Sequence, residues 1–177
     1  MVIKMVKIAI CGKMASGKTT LAEELAVNDG FKILSLAGEV KRVGIELFNM
    51  KEKDRPLLQQ IGMKMREIRE SVWLDVLIKL SEEHELVVCD DVRFINEAET
   101  LKKHGWVLIK LDISEDLQKE RLKNTYKNNW EIHWNNRTDP SEAEVDKIPL
   151  EWFDEIIVAS NDDSALHRVR PRVKCNE

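Results

Sequence analysis

Residues 12–19 read GKMASGKT, and this stretch decides the fold. It matches every fixed position of the pattern G-x-x-x-x-G-K-[ST], a loop whose backbone amides bind phosphate groups. The apolar, β-branched run at residues 4–11 (KMVKIAIC) is typical of a strand, and residues 21–26 place leucine and alanine at helical spacing. Because the motif requires this position between a strand and a helix, the stretch predicts a nucleoside triphosphate site rather than a chance glycine-rich turn.

Each residue type in this loop has a physical role. Gly12 and Gly17 allow a tight turn and a close approach to the ligand, so that successive N–H groups point at an anion. The N-terminal end of the following helix adds positive potential. Lys18 supplies a mobile charge for the β- and γ-phosphates, and Thr19 a hydroxyl for Mg²⁺. The residues expected to bind the nucleotide are Gly12, Lys13, Met14, Ala15, Ser16, Gly17, Lys18, Thr19 and Thr20.

The composition limits the size and the partners of the chain. Its 177 residues are 43% hydrophobic, enough to bury one sizeable core, and we expect residues 1–177 to form a single α/β domain. Lysine and arginine total 28 against 32 aspartates and glutamates, a formal charge of −4. Because nucleic-acid and anionic-membrane binding usually need a broad basic surface, we expect no nucleic-acid partner and no membrane association.

The three cysteines, Cys11, Cys89 and Cys175, are odd in number and far apart, with no C-x-x-C pair. This pattern indicates neither a disulfide framework nor a thiolate metal site. A reducing, cytoplasmic compartment is therefore expected. The chain enters a strand and then the phosphate loop without the segments of a secretory signal, and no apolar run reaches transmembrane length.

A second nucleotide motif is predicted at residues 85–91 (ELVVCDD), an apolar strand that ends in two acids. A carboxylate at the carboxyl end of such a strand reaches Mg²⁺ directly or through water. The pattern does not decide between Asp90 and Asp91. Arg93 and Glu97 follow at i, i+4 spacing, which suits either substrate binding or a surface ion pair.

A helix beginning near Pro56 is predicted within residues 51–72, because two stripes of side chains step along it by three and four positions. The apolar stripe comprises Leu58, Ile61, Met65, Ile68 and Val72. The second stripe lies immediately beside it and comprises Arg55, Gln59, Gly62, Arg66 and Arg69. These arginines either bind a phosphate across a cleft edge or form a solvated basic face. The same alternatives apply to Lys41 and Arg42, early in a helix predicted at residues 37–48.

The remaining elements complete an α/β pattern. Strands are predicted at residues 31–36, 106–111 and 152–160, with helices between them. Five strands alternating with helices favour a mostly parallel sheet covered on both faces, with the site at the carboxyl edge of the strands. Residues 124–141 are polar and lack a clear period, so we expect a mobile loop there, within a lid at about residues 121–141.

Taken together, these motifs resemble the deoxynucleoside monophosphate kinases of bacteriophages, within the nucleoside monophosphate kinases of the P-loop NTPase superfamily. Beyond the phosphate loop, the matching segments are residues 57–62 (LLQQIG) with Arg66 and Trp73, residues 91–99 (DVRFINEAE), residues 139–142 (DPSE) and residues 156–161 (IIVASN). The chain departs from the family pattern at Ile95, where a proline is common, and in having few arginines between positions 121 and 137.

The resemblance implies a three-layer α/β/α kinase that transfers the γ-phosphoryl group of ATP, with Mg²⁺, to the phosphate of a (deoxy)nucleoside monophosphate. It favours Asp91 over the neighbouring acid, and Asp91 with Thr19 would hold Mg²⁺. The resemblance also implies that Lys18, Arg121 and Arg137 are catalytic. The expected substrate-binding residues are Lys41, Arg42, Arg55, Arg66, Trp73, Arg93 and Glu97.

Two other functions stay open. One is a P-loop kinase of another small phosphorylated metabolite, since a fold does not fix the acceptor. The other is a nucleotide-binding switch or ATPase without acceptor chemistry. Neither an N-K-x-D guanine motif nor an L-S-G-G-Q signature is present, and a switch would leave the arginines of the acceptor helices, at about residues 37–83, unexplained. The sequence does not decide base preference, deoxy or ribo selectivity, or oligomeric state, with a homodimer among the options.

Overall fold

The computed structural model of the chain describes residues 5–136, 140–161, 165 and 168–169. The strands are β1 (Val6–Gly12), β2 (Lys32–Leu34), β3 (Leu86–Val92), β4 (Val107–Asp112) and β5 (Glu155–Val158). Within this part of the chain they form one sheet in the order β2-β3-β1-β4-β5, and every adjacent pair is parallel. The predicted α/β class with a five-stranded parallel sheet is confirmed.

Helices connect the strands. They are α1 (Lys18–Asp29), α2 (Leu36–Phe48), α3 (Arg55–Ile68), α4 (Val72–Ser81), α5 (Ile95–Lys103), α6 (Glu115–Tyr126), α7 (Trp130–Asn135) and α8 (Pro140–Ala143). Short 3-10 turns lie at Lys127–Asn129, Glu144–Lys147 and Leu150–Trp152. None of the helices in the described residues combines the length and the apolar character that a membrane span would need.

The central strand β1 separates two hydrophobic cores. Because successive side chains of a strand point to opposite faces, Ile8 and Ile10 pack against α1, whereas Ala9 and Cys11 contribute to a cluster with α3, α4 and α5. Helices therefore cover both faces of the sheet, as predicted. Since all five strands are parallel, their carboxyl ends meet at one edge, and the loop after β1 lies at that edge.

Side-chain caps fix the starts of the two helices that follow β2. The Ser35 hydroxyl accepts a hydrogen bond from the Gly38 N–H at 3.0 Å, and the Asp54 carboxylate accepts one from the Leu57 N–H at 3.0 Å. Pro56 occupies the first turn of α3, where its missing N–H costs nothing. Each cap contributes roughly 1 kcal/mol to helix stability. The predicted helix start near Pro56 is confirmed.

The polar stretch predicted as a loop at residues 124–141 is helical over its first part. Helix α6 continues to Tyr126, and α7 follows after one 3-10 turn. The Nζ atom of Lys123 lies 4.8 Å from the centroid of the Trp130 ring, and the rings of Tyr126 and His133 stack at 3.6 Å. The prediction of an irregular loop was wrong, because contacts between polar and aromatic side chains stabilise these helices without an apolar stripe.

Candidate phosphate-binding site and the adjoining pocket

The loop after β1 has the backbone that a phosphate cradle requires. A Cβ atom on Gly12 would lie 2.7 Å from the carbonyl oxygen of Leu111 and 2.7 Å from the Ser16 hydroxyl, so only glycine fits there. Gly17 caps α1 with a left-handed φ of 98°, which a side chain would strain. The chain thus turns sharply into the N-terminus of α1, where free N–H groups attract anions.

Lys18 lies along this loop with its ammonium group held by carbonyl oxygens. Its Nζ atom donates to the carbonyl oxygen of Gly12 at 2.7 Å and of Lys13 at 2.8 Å. Burial lowers the pKa of Lys18 to about 8, and the charge of Arg93 acts in the same direction. The two carbonyl oxygens therefore do not fully offset the cost of burying the ammonium charge, and an anion placed beside it would stabilise that charge.

Two further observations test whether the cradle suits a nucleotide. The Ser16 hydroxyl is buried and has no hydrogen-bond partner among the described residues. A cavity of about 520 Å³ opens beside the loop, lined by residues 15–21 together with Arg121, Asn124 and Ser160. An orphaned buried hydroxyl, a lysine and a cavity of this size at the N-terminus of α1 fit a bound triphosphate.

The structure corrects the choice between the two acids of β3. The Thr19 hydroxyl donates to an Asp90 carboxylate oxygen at 2.7 Å. Asp91 points to the other face of the strand, where its carboxylate accepts hydrogen bonds from the Ser35 hydroxyl at 2.8 Å and from the N–H groups of Leu36 at 3.1 Å and Ala37 at 2.8 Å. Asp91 is thus a cap of α2, and Asp90 is the acid beside the loop.

A second pocket of about 800 Å³ lies between residues of α2, α3 and the segment that joins β3 to α5. Its cationic lining consists of Lys41, Lys53, Arg66 and Arg93. Its apolar lining includes Leu36, Val40, Leu58, Met63 and Phe94. The structure thus brings together Arg66 and Arg93, two predicted residues from distant segments, with Lys41 and Glu97 in the same lining. Lys53 was not predicted, because a lysine in a charged loop gives no periodic signal.

Two predicted substrate-binding residues lie elsewhere. Arg42 pairs with Glu39 at 2.9 Å and Glu46 at 2.8 Å on the exposed side of α2, so the solvated-face alternative is the correct one for Arg42. Trp73 is only 4% exposed, and its indole N–H donates to the carbonyl oxygen of Gly62 at 3.3 Å. Trp73 is therefore a core residue. The Arg55 side chain and Arg137 lie outside the described residues.

The surface ion pair between Arg93 and Glu97, which was the alternative to substrate binding, does not form. The Glu97 carboxylate instead accepts hydrogen bonds from the backbone N–H groups of Arg93 at 2.9 Å and Phe94 at 3.1 Å, at the start of α5. Burial raises the pKa of Glu97, and these two N–H groups oppose the shift. The Arg93 guanidinium pairs with Glu142 at 2.9 Å. Glu97 thus orients the backbone that carries Arg93, and the charge partner comes from α8.

Arg121 belongs to the wall of the nucleotide cavity. Its guanidinium donates to the carbonyl oxygen of Ala15 at 3.0 Å and to that of Ser160, after the last strand. One side chain from α6 therefore ties the phosphate loop to the far end of the sheet. Arg121 lines the cavity beside the phosphate loop and is absent from the lining of the pocket that contains Arg66.

Known proteins of similar sequence or structure include kinases. The sequence profile described as an AAA domain matches residues 8–147. A protein of Acanthamoeba polyphaga mimivirus named "Putative deoxynucleotide monophosphate kinase" is 29% identical over an alignment of 143 residues, and the match covers 61% of this chain and 74% of that protein. A protein of Archaeoglobus fulgidus named "UPF0200/UPF0201 protein" is 31% identical over an alignment of 138 residues, and the match covers 70% of this chain. This chain spans 40% of that relative's length.

Among solved structures, the shikimate kinase from Acinetobacter baumannii in complex with shikimate superposes with a TM-score of 0.62. The alignment covers 98% of this chain and 95% of that chain at 20% sequence identity. At this identity the likeness establishes the three-layer fold and does not extend to the acceptor.

Proposed function

The chain belongs to the AAA domain family and is a P-loop protein of the nucleoside monophosphate kinase type, and we propose that it transfers the γ-phosphoryl group of ATP to the phosphate of a (deoxy)nucleoside monophosphate. One observation carries this proposal. A pocket with four cationic side chains and an apolar wall is joined to the phosphate loop through Glu142, which contacts Arg93 of the pocket and Met14 of the loop. A switch or an ATPase needs the loop alone, whereas a transferase needs a second site for a phosphorylated acceptor.

On the donor side, the loop amides and Lys18 would bind the β- and γ-phosphates. We propose that Thr19 and Asp90 hold Mg²⁺, because their oxygens are 2.7 Å apart and hard oxygen ligands suit this ion. When bound, Mg²⁺ supplies charge neutralisation at the β- and γ-phosphate oxygens. Arg121 would support the loop from the cavity wall, and Arg137 remains a sequence-based candidate for closing over the transferred group.

On the acceptor side, Arg66 and Arg93 would bind the monophosphate through their guanidinium groups, which match phosphate geometry bidentately. The apolar wall would pack against the base, and Lys41 and Lys53 would add positive charge. An oxygen of the acceptor phosphate then attacks the γ-phosphorus. One O–P bond forms, the bond from the γ-phosphorus to the β,γ-bridging oxygen breaks, and ADP leaves. Positioning and charge neutralisation supply most of the acceleration.

An ADP-release assay over a panel of ribo- and deoxynucleoside monophosphates tests the proposal. We expect ADP release to depend on at least one monophosphate, and the panel then reports base and sugar preference. Release at the same rate without any acceptor would identify an ATPase or switch. Release only with a phosphorylated compound that is not a nucleotide would support a phosphotransferase but show that its acceptor is not a nucleoside monophosphate.

The substitution Arg66→Lys is expected to separate the two sites. Lysine keeps the charge but loses the guanidinium fork, so the KM for the monophosphate should rise by roughly tenfold, about 1.4 kcal/mol. The KM for ATP should stay within about twofold, because Arg66 lines only the second pocket. Arg69→Lys is the matched control, since Arg69 pairs with Asp75 at an exposed position. A rise in the KM for ATP alone would move Arg66 to the donor site.

A further inference from the structure

Glu142 joins the two sides of the site through its two carboxylate oxygens. Oε2 accepts a hydrogen bond from the Met14 N–H at 2.6 Å, and Oε1 accepts one from the Arg93 guanidinium at 2.9 Å. Glu142 is 2% exposed. A carboxylate buried to this degree is costly unless it is paired, so both contacts stabilise its charge. The same side chain therefore touches the phosphate loop and an arginine of the second pocket.

The segment that carries Glu142 is fixed to the body of the protein. Val145 and Ile148 are each 1% exposed and pack in the hydrophobic interior. Asp146 pairs with Lys13 at 2.7 Å and approaches the Lys110 ammonium at 3.7 Å. Apolar packing and ion pairs thus anchor this segment to the phosphate loop and to β4, so the position of Glu142 does not depend on its two partners alone.

The backbone of Met14 is held from two directions. Its N–H donates to Glu142, and its carbonyl oxygen accepts a hydrogen bond from the Gln118 side chain at 2.9 Å. Two long-range contacts, one on the peptide unit before Met14 and one on the peptide unit after it, fix the first half of the phosphate loop. The Glu142 carboxylate therefore has a defined position relative to the cradle, and it transmits that position to the guanidinium on its other side.

Charge also favours this arrangement. Lys18 and Arg93 lie near enough that Arg93 is among the causes that lower the pKa of Lys18, while Glu142 is among those that raise it. Two cations from the donor loop and the second pocket repel each other, and the carboxylate between them offsets that repulsion. The transferred phosphoryl group would have to pass close to this pair of cations.

We propose that Glu142 is a positioning residue that fixes the Arg93 guanidinium relative to the phosphate loop, so that the acceptor phosphate is bound in line with the donor. The inference rests on the proposed function and adds a residue to it. Glu142 binds one of the five N–H groups of the Arg93 guanidinium, at Nη1. Because the guanidinium is rigid, this bond sets the direction in which its other N–H groups face the pocket.

The substitution Glu142→Gln tests this role because glutamine has the same size but only one acceptor oxygen. Because each oxygen of Glu142 faces a different donor, a glutamine in the same position turns its NH₂ group toward either Met14 or Arg93 and loses one of the two contacts. We expect the KM for the monophosphate to rise by about tenfold and the KM for ATP by less than about threefold. Glu144→Gln, two residues along the same segment, is the matched control, since Glu144 pairs only with Lys147 among the described residues. It should leave both constants unchanged.

A double-mutant cycle with Arg93→Gln shows whether Glu142 acts through Arg93. In that background, Glu142→Gln should change the KM for the monophosphate by less than about twofold, because the guanidinium to be positioned is gone. A full tenfold effect in both backgrounds would overturn the proposal. So would an equal rise of both KM values, which would indicate general damage to the site.

Hydrogen exchange at the Met14 amide gives a readout that does not depend on turnover. It should be faster in Glu142→Ala, which removes both acceptor oxygens, than in the wild type and unchanged in Glu144→Gln. Unchanged exchange in Glu142→Ala would contradict the role of Glu142 whatever the activity. A wild-type protein that phosphorylates no monophosphate would refute the proposed function instead, and the exchange rate would still show whether Glu142 holds the loop.

Discussion

Lys18→Ala is expected to lower kcat by about a hundredfold or more, because it removes the mobile positive charge at the β- and γ-phosphates. The fold should survive. The Lys18 ammonium contacts only carbonyl oxygens in the hydrogen bonds described, and burial already disfavours its charged form, as its lowered pKa shows. Removing a charge that burial destabilises should leave the melting temperature unchanged or slightly higher.

Steady-state kinetics at saturating ATP and a thermal melt check this prediction together. Lys64→Ala is a suitable control, since Lys64 lies on the exposed side of α3 and pairs only with Glu67 among the described residues. It should change kcat by less than about twofold. A Lys18→Ala variant with near-normal kcat would show that the loop does not bind the reacting phosphates.

Asp90→Asn should lower kcat by roughly a hundredfold, whereas Asp91→Asn should lower it by less than about tenfold. The reason is geometric. Asp90 lies beside Thr19, where an oxygen pair suits Mg²⁺, and Asp91 lies on the opposite face of β3. Raised Mg²⁺ should partly restore Asp90→Asn and have little effect on Asp91→Asn.

Stability should show the reverse order. Asp91 accepts hydrogen bonds from the Ser35 hydroxyl and from two backbone N–H groups at the start of α2, and an asparagine has one oxygen for these three donors. We expect Asp91→Asn to cost about 1–2 kcal/mol of unfolding free energy by urea titration. Asp90→Asn should cost less. If Asp91→Asn lowered kcat more than Asp90→Asn, the metal ligand would be Asp91.

These two acids also show why the sequence predicted the site only in part. The strand was recognisable because its apolar residues are continuous, but a strand buried on both faces gives no alternation of polar and apolar residues. Without alternation, no local signal tells which of Asp90 and Asp91 faces the phosphate loop. The burial of Val88 with α1 and of Cys89 with the opposite core decides it, and that division exists only in the folded sheet.

The phosphate loop could be predicted because its function needs particular residues at fixed spacing over a short stretch. Glu142 could not, because its two partners lie 128 and 49 residues away along the chain. Trp73 was assigned to the substrate through the family resemblance, yet its side chain is buried in the core and its indole N–H donates to the Gly62 carbonyl oxygen. Local pattern predicted the phosphate loop and the strands of the sheet, whereas contacts between distant segments depend on the completed core.

The same limit explains the helices α6 and α7. Helix α7 has no apolar stripe. Its tryptophan rings pack on lysines of α6 instead of on the sheet, so the helix does not need such a stripe. A periodicity argument looks for an apolar face and finds none in such a segment.

Transfer of label from ATP carrying ³²P at the γ-position is the most direct test of the proposed reaction. The wild-type protein is incubated with labelled ATP, Mg²⁺ and the monophosphate that best supports ADP release, and the products are separated. We predict that the label appears in the nucleoside diphosphate, and that Lys18→Ala abolishes its appearance on the same timescale. Label found only in inorganic phosphate, at a rate independent of the monophosphate, would contradict a monophosphate kinase and identify a nucleotide hydrolase.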